Sequence, residues 1–223
     1  MLDPLFIINL IPDILQGLLV TLELSVVSFI IGFTIAAIFM PIRIFGGSIF
    51  SSLVRSYIEV FRGTPMLVQL LLIYFGLPSI GIKFDPVTAS IITFGLNSAA
   101  YQSEILRSSL KSIPESQFLS GESLGMSSLQ IYRYIILPQA VRVAVPALVN
   151  EFVTLIKESS IASIIGVVEL TRRGEYLVAT TFRALEVYIA VAIIYFVICF
   201  FVSQSTRLLE RKFRIPGYER GES

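Results

Sequence analysis

Three observations predict an all-α membrane protein with about five transmembrane helices. Of its 223 residues, 55% are hydrophobic and only 15% charged, with a mean hydropathy of +0.82, whereas a soluble domain carries about 25% charged residues. Runs free of Asp, Glu, Lys and Arg cover 24–42, 63–82, 86–103 and 187–206, each near the ~20 residues a spanning helix needs. A fifth stretch, 143–168, is apolar except for Glu151, Lys157 and Glu158. The spans are therefore expected at about 14–42, 57–79, 86–106, 143–168 and 186–206 of a single transmembrane domain covering 1–223. There is no internal repeat, low-complexity tract or second domain.

The first residues, MLDPLFIINLIPDILQGLL, have no basic region and no small-residue cleavage site, so they read as a mature segment leading into the first span. In that span Thr21, Ser25, Ser28 and Gly32 form a stripe of small residues suited to close helix packing. Glu23 lies about 200° round the helix from Thr21. A carboxylate at membrane depth costs about 2.5–3.5 kcal/mol on insertion scales. Glu23 is thus expected to snorkel, to pair with Lys157, or to serve as a cavity acid.

The second span is interrupted by Arg-Gly-Thr-Pro at 62–65. Pro65 has no amide hydrogen and Gly63 tolerates unusual torsions, which predicts either a packing kink or a hinge in a cavity wall. In the third span Asn97, Tyr101, Glu104 and Ser108 make one continuous polar face, and in the fourth Glu151, Thr154 and Glu158 make another. The two faces are expected to meet around water or as a hydrogen-bonded seam, with Glu104 as part of the seam or a loop anchor. Glu23, Glu151 and Glu158 outnumber Lys157, which predicts a cavity of net negative character that prefers cations.

The segment 112–138 is too polar to span and reads as two capped helices. Ser112 with Glu115 forms S-x-x-E, with Pro114 in the first turn, and Ser127 with Gln130 forms S-x-x-Q. Gly125 suits a left-handed helix end, and Pro138 is expected to stop the second helix. Leu124, Ile131 and Ile135 give that helix an apolar side that needs a partner: the headgroup region, the protein's own helix ends or a separate protein.

Lys and Arg distribution sets the orientation. With the N-terminus outside, the inward segments hold Arg43, Arg55, Arg107, Lys111, Arg133, Arg142, Arg207, Arg211, Lys212, Arg214 and Arg220, eleven in all, against Lys83, Arg172, Arg173 and Arg183 outside. The three outward arginines are partly offset by Glu169, Glu175 and Glu186. The C-terminus is then cytoplasmic.

The same segment resembles the EAA loop of permease subunits of bacterial ATP-binding cassette importers. Gly125, Ile135, Leu137 and Pro138 match its G-x9-I-x-L-P register, while Leu119, Ser120 and Gly121 stand where that loop has Glu-Ala-Ala. The acid is missing at Leu119, with Glu122 nearby. The stretches at 57–78, 95–114 and 157–176 are similar to the polar amino acid subfamily of these permeases.

The resemblance implies a type I importer permease fold in the bacterial inner membrane. Its implied partners are a cytoplasmic dimer of ATP-binding subunits, a second permease copy or a related permease, and an extracytoplasmic substrate-binding protein. It also implies that 112–138 is a coupling loop docking on the ATPase through Leu119, Glu122, Gly125, Ile135, Leu137 and Pro138, with Gly63 and Pro65 as a hinge. Substrate is expected at Glu23, Asn97, Ser98, Tyr101, Glu151, Thr154 and Glu158. Acids at Glu23 and Glu151 favour arginine, lysine, histidine or ornithine, with glutamine or another polar amino acid as the alternative.

Other classes fit less well. An ion-coupled secondary transporter uses intramembrane acids but shows repeated halves and more spans. The chain has no His and one Cys, Cys199, in an apolar run, so an intramembrane enzyme, a metal site and a disulfide framework all lack their residues. No G-x-x-x-x-G-K-[ST] is present, so ATP is expected to bind a separate subunit. No catalytic residue, cofactor or nucleic-acid partner is expected.

Overall fold

A computed structural model describes residues 3–213 as a succession of helices with no strand, and side chains are described as far as residue 205. Arg214 and Arg220 of the inward charge count lie outside the described residues. Asp3 caps α1 (Pro4–Leu15) by accepting from the amides of Leu5 and Phe6, with Pro4 in the first turn. The N-terminal segment leads into the first span as a separate helix and not as part of it. Gly17 separates it from α2 (Leu18–Phe45). A Cβ there would lie 2.6 Å from the Glu169 carbonyl carbon and 2.7 Å from the Leu170 nitrogen. Only glycine lets two backbones approach this closely, and the Leu170 amide donates to Thr21 Oγ1 at 3.2 Å beside it.

The small-residue stripe of α2 is wholly buried and packs on α5 (Pro86–Lys111). A Cβ on Gly32 would meet Gln102 Nε2 at 2.8 Å and the Ala99 nitrogen at 3.1 Å. Asp85 caps α5 through the amides of Val87 and Thr88. At 26 residues α5 is about 39 Å long, enough to cross a bilayer. It also packs on α3 (Ser48–Gly63) and α8 (Leu137–Glu158), and this enclosure lets it bury Ser90, Thr93, Asn97, Ser98, Gln102 and Ser103. By length and apolarity alone, three helical rods qualify as spans, at Leu18–Phe45, Ser128–Ile165 and Ala184–Ser205.

The fourth span by that measure is broken. α3 and the segment Met66–Ile80, which opens with α4 (Met66–Leu71), meet at 105°. Pro65 cannot continue the ladder, and the Gln69 side chain takes up freed carbonyls, donating to the oxygens of Phe61 at 2.9 Å and Thr64 at 3.1 Å.

The polar loop departs from expectation three times. α6 (Glu115–Ser123) starts after Pro114 with no side-chain cap, and Ser112 instead ends α5, donating its hydroxyl to Ser109 O at 2.8 Å. The second capping box does form, Ser127 with Gln130, at the start of α7 (Ser128–Ile131). Gly125 has φ +74°, and the Met126 amide donates to Gly121 O at 3.1 Å, closing α6 in the left-handed conformation.

Pro138 does not stop the second helix. A π-helical turn, Tyr132–Ile136, re-routes the ladder ahead of it, and Pro138 falls in the first turn of α8, where its missing amide hydrogen is harmless. The expected apolar side also divides. Ile131 is buried against Ile113, Ile136 and Ala140, whereas Leu124 is exposed. After α8 and a 3-10 turn (Ser159–Ile165), α9 (Leu170–Thr181) and α10 (Ala184–Phe213) complete the chain, and α1 packs against both.

Candidate binding site

Ser98 on α5 and Glu151 on α8 are brought together. Ser98 Oγ donates to Glu151 Oε1 at 2.7 Å. Gln102, one turn along α5, donates through Nε2 to Ser98 Oγ at 2.9 Å and to the main-chain oxygen of Phe29 on α2 at 3.1 Å. Ser98 and Gln102 are fully buried and Glu151 half-buried, so one line of hydrogen bonds ties three helices. Gln102 Oε1 meets no donor among the described residues, a cost of about 1–3 kcal/mol for a buried acceptor.

Glu158, half-buried, lies two turns from Glu151 on α8, about 10.5 Å along the axis. Among the described residues neither carboxylate has an ion pair, and Lys157 between them is exposed. Thr154 is turned back on its own helix, donating to Asn150 O at 3.1 Å.

The polar face of α5 is present but does not meet α8. Asn97 Nδ2 donates to Gln69 Oε1 at 3.0 Å and to Phe61 O at 3.3 Å, which places it on the α3–α4 break. Tyr101 is exposed, with the Arg62 guanidinium 5.3 Å above its ring. Glu104 accepts from both Arg43 of α2 and Arg107 of its own helix, which places it in a helix seam, one of the two roles expected of it. Ser98, one residue past Asn97, is the contact to Glu151. Glu23 is exposed on α2, with no ion pair to Lys157 or any other residue among those described, so the structure does not join it to the Ser98–Glu151 pair.

Gln69 and Gln102 were missed by pattern reasoning. The signal was an uncharged amide inside an apolar run, four residues past Pro65 in one case and four past Ser98 in the other.

A cavity of about 1090 Å3 lies elsewhere, among the ends of α2 and α5, α3, α6 and the π turn. Its lining has Arg43, Arg55, Arg62, Arg107 and Lys111 against Glu59, Glu104 and Glu115. The expected net negative lining does not describe this cavity, which contains none of Glu23, Glu151 and Glu158.

At the polar loop, a Cβ on Gly121 would stand 2.7 Å from Ile131 Cγ1, so α6 and the following helix are in close contact. Leu119, Leu124, Leu129 and Tyr134 are exposed, as are Glu122, Gly125 and Pro138, while Ile135 and Leu137 are half-buried. Gly63 and Pro65 are exposed at the bend.

Beyond α8 and its 3-10 turn, Glu169 caps α9 through the amides of Thr171 and Arg172, each at 2.8 Å, and accepts from Tyr195 Oη. Burial pushes its carboxyl above the usual range. Arg172 pairs with Glu175 at 2.6 Å and Arg183 with Glu186 at 2.8 Å, so two of the three arginines at 172–183 are paired locally.

Residues 34–215 match the family described as binding-protein-dependent transport system inner membrane component. The chain is 41% identical over 207 residues to the glutamine transport system permease protein GlnP of Escherichia coli (strain K12), covering 92% of this chain and 94% of that one. It is 38% identical over 205 residues to the arginine transport system permease protein ArtQ of Bacillus subtilis (strain 168), with coverage of 92% and 94%. The crystal structure of an amino acid ABC transporter with histidines contains a chain that superposes with TM-score 0.91 at 38% identity, covering 95% of this chain and 99% of that one.

Proposed function

This chain belongs to the family of inner membrane components of binding-protein-dependent transport systems, and we propose that it carries basic amino acids through a site built on Ser98, Glu151 and Glu158. It is a permease subunit of an amino acid ABC importer, not an enzyme, and ATP hydrolysis belongs to a separate subunit. The observation that carries the substrate reading is the pair of half-buried carboxylates on one helix that form no salt bridge among the described residues, with only the exposed Lys157 nearby. A cationic ligand supplies the missing charge. Asn97, beside the break at Gly63–Pro65, has its NH2 group committed to Gln69 and Phe61 and offers its amide oxygen as an acceptor to the amino acid end, and Tyr101 and Thr154 flank these groups along their helices. Glu23 contributes from α2 only if the assembled site extends to its exposed side.

In this reading the 112–138 loop docks on a dimer of ATP-binding subunits in the cytoplasm. The chain pairs with a second permease, identical or related, and receives substrate from an external binding protein. The N-terminus is outside and the C-terminus cytoplasmic. The exposed Leu119, Leu124, Leu129 and Tyr134 support the docking assignment, since they form apolar surface on an otherwise polar loop.

A hydrogen bond to a charged group is worth about 1.5–3 kcal/mol, so Glu151→Gln should weaken arginine or lysine binding roughly ten- to a hundred-fold. Arginine affinity of the purified permease–ATPase complex, unchanged in Glu151→Gln and in Glu151→Gln/Glu158→Gln, would return both glutamates to structural roles. Glutamine is the second reading. The 41% identity to a glutamine permease and the basic lining of the 1090 Å3 cavity favour it, and competition of glutamine against arginine in the same assay separates the two.

A further inference from the structure

The hydrogen bonds that end on Glu151 have a single consistent direction. Gln102 Nε2 lies 3.1 Å from the Phe29 main-chain oxygen and 2.9 Å from Ser98 Oγ. A carbonyl oxygen only accepts, so Phe29 requires the NH2 end of the amide to face it; turning the amide over sets two oxygens against each other. The second proton of that NH2 group then goes to Ser98. With its oxygen accepting from Gln102, the Ser98 hydroxyl points its proton at Glu151 Oε1, 2.7 Å away.

We infer that Gln102 is a positioning residue of the substrate site: it fixes Ser98 as a donor, and so holds the Glu151 carboxylate in one orientation as an acceptor for a cationic ligand. This rests on the reading of Glu151 as a substrate group.

Two further observations point the same way. Gln102 is fully buried and its Oε1 has no donor among the described residues. A leucine or methionine would fill the space without an orphan acceptor, so packing does not account for an amide here. The α2 backbone is also kept clear for it, since a Cβ on Gly32 would stand 2.8 Å from Gln102 Nε2. The Phe29 end of the relay means that a shift of α2 against α5 bears directly on the carboxylate of α8.

The test is a double-mutant cycle in the assembled importer: Gln102→Leu, Ser98→Ala and both together, with Glu151→Gln alongside. Radiolabelled arginine binding to the permease–ATPase complex, turnover number and membrane abundance are read for each. Gln102→Leu should weaken arginine binding about five- to tenfold, from loss of the neutral Gln102–Ser98 hydrogen bond that aligns the charged group, while turnover at saturation changes less than about twofold. The double variant should bind no worse than Ser98→Ala, because without Ser98 the amide has nothing to act through. Multiplying losses in the double variant would show two independent structural effects and overturn the relay. Arginine affinity unaltered in Gln102→Leu while Glu151→Gln loses it would overturn the relay and leave the substrate reading standing. Full affinity in Glu151→Gln would remove both. Gln102→Met, which keeps the length of the side chain, repeats the cycle if the leucine variant fails to assemble.

Discussion

The two glycines of the polar loop should fail for different reasons, and the difference measures how the loop works. Gly125 has φ +74° and open space where a Cβ would sit. An ordinary L-residue there costs about 1–2 kcal/mol from torsion alone, a β-branched one more, and asparagine least. Gly121 has ordinary torsions but no room, with Ile131 Cγ1 at 2.7 Å and Ile135 Cδ1 at 3.2 Å from its would-be Cβ. Overpacking there costs about 1–3 kcal/mol, rising with side-chain volume. A penalty of 1–2 kcal/mol on a locally folded element lowers its native population by a factor of roughly 5–30. At position 125 the order of damage should therefore be Val well above Asn, and at 121 Val well above Ala. The assay is ATP hydrolysis in proteoliposomes with and without loaded binding protein, the stimulated fraction reporting the loop and membrane abundance reporting the fold. Equal stimulation in Gly125→Asn and Gly125→Val, or wild-type stimulation in Gly121→Val, would refute the reasoning.

Three further outcomes are expected. Glu104→Ala leaves Arg43 and Arg107 without the carboxylate they share and should cost about 1–3 kcal/mol, seen as a lower melting temperature of the purified complex than in Arg55→Ala, whose pair with Glu59 is exposed. Gly17→Ala should reduce the amount of folded protein in the membrane, because its Cβ meets backbone that cannot give way, whereas Gly47→Ala has nothing within 4 Å and should be silent there. In a Cys199→Ala background, a cysteine at Ser79 should react with an impermeant reagent from outside, and one at Ser116 only after permeabilisation. The opposite result would reverse the topology and remove the docking role of the loop.

The fold was legible where physics is local. The stripe at Thr21, Ser25, Ser28 and Gly32 predicted close helix packing because small residues at helical spacing let backbones approach, while the structure supplied the partner, α5. Ser127–Gln130 and Gly125 were readable because caps and left-handed ends act over three or four residues. Ser112 and Pro138 misled for the complementary reason. Each satisfied a local rule, but α5 had already used Ser112 as its C-cap, and a π turn upstream made Pro138 harmless. The bend at 62–65 was visible in the sequence, while its 105° angle was not, since it depends on Gln69 collecting the carbonyls that Pro65 frees.

The site shows where such reading stops. One residue along a helix is about 100° of rotation, and α5 has neighbours on three sides, so Asn97 and Ser98 serve different partners although they are adjacent. Spacing tells which residues share a face; it does not tell which helix the face meets. Charge counting fails similarly. Glu104 pairs with both Arg43 and Arg107, and Glu59 with Arg55, so cations that looked free in the sequence are partly offset within the large cavity's wall, whose lining stays basic. The half-buried carboxylates that form no salt bridge among the described residues, Glu151 and Glu158, lie outside that cavity. The sign of a transport pathway is therefore set by which charges remain unpaired, and here the acids without a salt bridge sit beside the hydrogen-bond line that starts at Phe29 and passes through Gln102 and Ser98.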